Sequence, residues 1–143
     1  MRISEILHRK GRLVHKTRTV DQVVSAAQLL TAQGVGCLLV YDRWGHYVGI
    51  LSERDLIHGI AQFGDAAMTM PVSELMTPDV IMCHLEDRVR DALRVMSTHR
   101  IRHLPVEDGG EIVGIVSIGD LVLSLLDEKS LEVDVLRDIA RAH

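Results

Sequence analysis

The sequence predicts a mixed α/β (α+β) fold of two pseudo-symmetric β-α-β-β-α repeats, followed by an extra C-terminal helix. Three observations carry this expectation. Gly49-Ile50-Leu51-Ser52-Glu53-Arg54-Asp55-Leu56 recurs as Gly114-Ile115-Val116-Ser117-Ile118-Gly119-Asp120-Leu121. Upstream of each copy, apolar residues keep helical spacing: Val23, Ala26, Ala27 and Leu30 in the first, Val89, Ala92, Leu93 and Met96 in the second. Between helix and motif lie two short apolar runs joined by a turn, the pattern of a hairpin.

The elements follow in order. Ser4-Glu5-Ile6-Leu7 corresponds to Ser73-Glu74-Leu75-Met76 at the head of the copies. Asp21 and Asp87 are expected at the starts of the upstream helices, where acidic groups complement the helix dipole. The runs 37–41 and 47–51 flank Asp42-Arg43-Trp44-Gly45, and the runs 101–106 and 112–116 flank Asp108-Gly109-Gly110. Ser52 and Ser117 fall at strand-to-helix junctions, where a hydroxyl caps helices over 53–61 and 118–126. Gly64 and Pro71 mark a boundary. The expected organisation is therefore copy one at 1–63, a linker at 64–72, copy two at 73–127 and a terminal helix within 128–143. In that last stretch Leu131, Val135 and Ile139 recur every four residues with Leu136 beside them, an amphipathic helix needing a surface to cover.

Composition narrows the function. Hydrophobic residues make up 47% and charged residues 25% of the 143, as in a soluble globule, and with 3% aromatics the core is aliphatic. A net charge of −4 argues against a nucleic-acid binder, which carries a basic excess. No apolar run reaches membrane-spanning length, and the first residues lack a signal-peptide core. A cytoplasmic protein without membrane insertion is expected, with Cys37 and Cys83 as reduced thiols.

The repeat unit resembles the CBS (cystathionine beta-synthase) domain. That family has a Met-Thr-Pro-like opening, an amphipathic helix, a Leu-Pro-Val-like strand and a Gly-h-h-Ser/Thr-x-x-Asp ending. Copy two supplies Leu75-Met76-Thr77-Pro78, His103-Leu104-Pro105-Val106 and Gly114-Ile115-Val116-Ser117-Ile118-Gly119-Asp120. Copy one supplies Leu38-Leu39-Val40 and Gly49-Ile50-Leu51-Ser52-Glu53-Arg54-Asp55, but Leu7-His8-Arg9-Lys10 replaces Met-Thr-Pro. The resemblance implies a CBS pair that binds AMP, ADP, ATP, NAD or S-adenosylmethionine, regulates an enzyme or transporter, and dimerises. AMP is the ligand first expected, then NAD or ATP.

A nucleotide needs apolar walls for its base, a carboxylate for its ribose and donors for its phosphate. Asp120 suits the ribose hydroxyls and Ser117 the start of a helix, where anions are favoured. The same residues also serve as a plain helix start. Arg102 and His103 resemble the basic pair that family members place on phosphate, and Ile115 is expected to pack on the base. Copy one offers Ser52, Arg54 and Asp55 but has Gly36-Cys37 where copy two has Arg102-His103. Unequal sites are therefore expected. Lys16, Thr17 and Arg18 either reach a phosphate or stay solvated. The resemblance also implicates Val14 and Val80 beside the base, with Thr77 and Pro78 of the second opening.

His99 and His103 have a metal-like spacing, but a helix end intervenes and Arg102 crowds a cation, so no metal is expected. No catalytic set assembles from sequence neighbours. The chain is thus expected to be a regulatory adenine-nucleotide sensor rather than an enzyme. The competing expectation is a ligand-free dimeric interaction scaffold.

Overall fold

The computed structural model describes residues 1–78 and 80–142. Copy one contains strand β1 (Lys16–Arg18), helix α2 (Val23–Gln33), strands β2 (Cys37–Tyr41) and β3 (Tyr47–Ser52), and helix α3 (Glu53–Phe63). Copy two contains β4 (Cys83–His84), α5 (Val89–His99), β5 (His103–Asp108), β6 (Glu111–Ser117) and α6 (Ile118–Arg141). Each is preceded by a leading helix, α1 (Ile3–Lys10) or α4 (Val72–Leu75).

The two sheets have one topology. β1 runs parallel to β2, which pairs antiparallel with β3; β4, β5 and β6 repeat this. The registers agree: Val40 lies opposite Gly49 and Cys37 opposite Ser52, while Val106 lies opposite Gly114 and His103 opposite Ser117. Because side chains alternate across a strand, Leu38, Val40 and Leu51 share one apolar cluster with Ala26 and Leu30. Leu104, Val106 and Val116 share another with Val89, Ala92 and Met96.

The compact units cut the chain at other places than the repeats do. One unit joins Met1–Leu13 to Ile81–His143, and the other is Val14–Val80. Each leading segment thus belongs with the body of the opposite copy, and backbone hydrogen bonds hold it there. Ile3 N–H donates to Asp87 O at 2.9 Å and Val89 N–H to Met1 O at 3.0 Å. In the other unit Val72 N–H donates to Asp21 O at 2.8 Å and Val23 N–H to Met70 O at 2.9 Å. These bonds satisfy first-turn N–H groups that a helix cannot pair internally.

Three details differ from the sequence expectation. Asp21 and Asp87 stand two residues ahead of their helices and close the preceding turn instead. Asp21 accepts from Arg18 N–H at 3.0 Å and Thr17 Oγ1 at 3.2 Å, and Asp87 accepts from His84 N–H at 2.9 Å. The stretch 64–72 between the copies carries structure of its own: Gly64–Thr69 is a 3₁₀ helix, and Ala67 and Val72 are fully buried. The terminal helix is not separate, because 127–130 holds no glycine or proline to stop α6, which runs unbroken from Ile118 to Arg141.

Candidate functional site

Both Ser-x-x-Asp endings form reciprocal caps. Ser117 Oγ accepts from Asp120 N–H at 3.1 Å, and Asp120 Oδ2 accepts from Ser117 N–H at 2.8 Å. At α3, Ser52 Oγ accepts from Asp55 N–H at 3.3 Å and Asp55 Oδ2 accepts from Ser52 N–H at 2.8 Å. This holds a carboxylate at the mouth of each strand-to-helix turn in a fixed orientation.

A second polar group then reaches each carboxylate from the leading segment in the same unit. Thr77 Oγ1 donates to Asp55 Oδ1 at 3.0 Å. Lys10 Nζ donates to Asp120 Oδ2 at 2.6 Å and to Ile115 O at 2.8 Å. The difference arises from one proline. Pro78 disfavours helical backbone at the residue before it, so α4 ends at Leu75 and Thr77 pairs in extended form with Ile50. Copy one has no proline there. Its helix continues to Lys10, stops at Gly11 with φ 93°, and carries an ammonium to the carboxylate.

The electrostatics at Asp120 follow. Burial pushes its carboxyl up, but the hydrogen bonds from Lys10 and Ser117, with the Lys10 charge, outweigh this and hold it below its ordinary value. The pair stays within reach of solvent, at 35% side-chain exposure for Lys10 and 27% for Asp120.

The structure therefore brings Ser117, Asp120 and Ile115 together, with His103 opposite Ser117 in the ladder. Arg102 is exposed just ahead of β5, and its carbonyl accepts the Ile118 N–H at 2.9 Å. Ser52, Asp55 and Thr77 form the corresponding group, with Arg54 on the exposed first turn of α3 and Pro78 exposed beyond Thr77. Val14 and Val80 are half-buried.

Other expected residues are engaged elsewhere. Lys16 Nζ sits 4.8 Å above the Tyr41 ring. Arg18 pairs with Asp21 at 2.8 Å, and Thr17 bonds the same carboxylate. His99 Nδ1 lies 3.0 Å from Val95 O. Among the described residues no group of three or more His, Cys, Asp or Glu gathers as a metal site.

Sequence reasoning missed Lys10. It registered Leu7-His8-Arg9-Lys10 only as a departure from Met-Thr-Pro. The available signal was the missing proline, which lets the helix run one turn further.

The CBS domain family matches this chain twice, at residues 5–62 and 72–127. A mitochondrial CBS domain-containing protein of Arabidopsis thaliana, CBSX3, is 31% identical over 142 residues, covering 94% of this chain and 69% of its own length. A putative signal-transduction protein with CBS domains from Burkholderia ambifaria superposes with a TM-score of 0.84 at 33% identity, covering 89% and 95% of the two chains. The CBS domain pair of protein MJ0100, in complex with 5′-methylthioadenosine and S-adenosyl-L-methionine, gives 0.76 at 25% identity, covering 87% and 99%. Proteins built on such pairs are regulatory modules. No helix among the described residues is long and apolar enough to cross a membrane.

Proposed function

The chain belongs to the CBS domain family, and from that premise we propose that it is a regulatory module sensing an adenine-containing ligand. AMP is the first candidate, with ADP, ATP and NAD next. The observation that carries this reading is the duplicated carboxylate station. Asp120 and Asp55 are each fixed by a reciprocal serine cap and each reached by a second donor from a leading segment. A helix cap alone requires only the serine and the aspartate. A partly exposed, oriented carboxylate suits the two ribose hydroxyls of an adenosine. The adenosine compounds held by the MJ0100 pair support the same ligand class.

In this reading Asp120 and Asp55 take ribose, Ser117 and Ser52 offer hydroxyls at helix starts, Ile115 packs beside the base, and Arg102 and His103 serve phosphate. Thr77, Pro78, Val14 and Val80 border the base, with Arg54 and Lys16 as outlying cations. The module works in the cytoplasm as a homodimer, performs no chemistry itself, and passes the ligand signal to an enzyme or transporter.

A thermal-shift screen tests it, since a ligand that prefers the native state raises its melting temperature. Adenine ligands should give a saturable shift, guanine ligands little, and ATP and NAD should emerge unhydrolysed. No shift at millimolar concentration favours the interaction scaffold instead. That second reading draws on the apolar side chains exposed along α6, including Leu123, Leu126, Leu131 and Leu136.

A further inference from the structure

We infer that Lys10 makes the Asp120 station selective for a phosphorylated adenosine ligand. This rests on the adenosine reading above and adds the residue that sets the charge class of the ligand. An ammonium has three N–H donors. Lys10 commits one to Asp120 Oδ2 and one to Ile115 O, which leaves one for a ligand among the described residues. It does so beside the first turn of α6, where the helix dipole favours negative charge. A 5′-phosphate on a ribose held by Asp120 meets a cation that the protein has already oriented. The Asp55 station has no such cation from its leading segment. Thr77 is neutral, and its single hydroxyl donor is committed to Asp55 Oδ1.

The test is calorimetric titration of AMP and of adenosine into the full chain. An Asp55→Asn background confines the comparison to the Asp120 station and keeps a side chain able to cap α3. Lys10→Met should lower AMP affinity about 10-fold or more, the loss of one charge-assisted hydrogen bond, and leave adenosine affinity within about 2-fold. Lys10→Arg should retain AMP. Equal loss of AMP and adenosine makes Lys10 a prop for Asp120 and overturns the selectivity, as does no loss of either. A protein with Lys10 intact that binds neither compound overturns the adenosine reading together with this one.

Discussion

Gly49 lies directly beneath the backbone carbonyl of Thr77: a Cβ built on it would stand 2.7 Å from that oxygen. The carbonyl has no room to retreat, since it accepts from Ile50 N–H at 3.0 Å while Thr77 N–H donates to Ile50 O at 2.8 Å. At the equivalent Gly114, the obstacle is the end of the Leu7 side chain at 2.8 Å, which can rotate. Gly49→Ala should therefore cost about 1–3 kcal/mol and Gly114→Ala less. Urea unfolding midpoints check the order, and the opposite order would contradict this account of the leading segments.

Asp120 should titrate below its ordinary 3.8, and Lys10→Met should move it upward. A carboxyl whose folded pKa lies below its unfolded value contributes stability that is present above the unfolded value and lost as pH falls through the folded one. The Lys10 variant should thus lose stability at neutral pH and converge with the native chain in strong acid. Partial exposure of the pair limits the loss to about 1 kcal/mol. Carbon-detected titration of the Asp120 carboxyl checks the shift, and an unchanged curve would remove Lys10 as its cause.

Ser117→Ala and Ser52→Ala each delete the hydroxyl half of a reciprocal cap. Each should cost about 1 kcal/mol, read as a lowered melting temperature. A loss at only one of them would mean that the two caps are not energetically equivalent.

Cys83 should be inert in the native protein. Burial pushes its thiol up to about 12, and its side chain is nearly inaccessible. Reaction with a thiol reagent at pH 8 should follow unfolding rather than reagent concentration. Rapid modification of the folded chain at Cys83 would contradict the placement of β4.

The sequence made the repeated elements legible because they obey local rules. Residues 37–41 form the expected strand, and Ser52 and Ser117 cap the expected helices. The exchange of leading segments was not legible, because it depends on backbone bonds such as Ile3 N–H to Asp87 O, which leave no periodic trace in side chains. The path of α6 required weighing an absence, the lack of any breaker at 127–130. Within the site, the aspartates announced themselves through a motif that occurs twice. Lys10 did not, because its contact with Asp120 spans the chain and exists only where a proline is missing.

Calorimetric titration of AMP into the native chain and an Asp120→Asn variant decides whether the Asp120 station binds an adenine nucleotide. Asparagine retains the shape of the cap, but with its one oxygen on the Ser117 N–H it turns an NH2 donor toward the ribose in place of the acceptor Oδ1. Saturable binding to the native chain and a loss of about 10-fold or more in the variant are expected. Equal binding by both proteins, or no binding of AMP, ATP or NAD at millimolar concentration, would contradict a nucleotide site at Asp120.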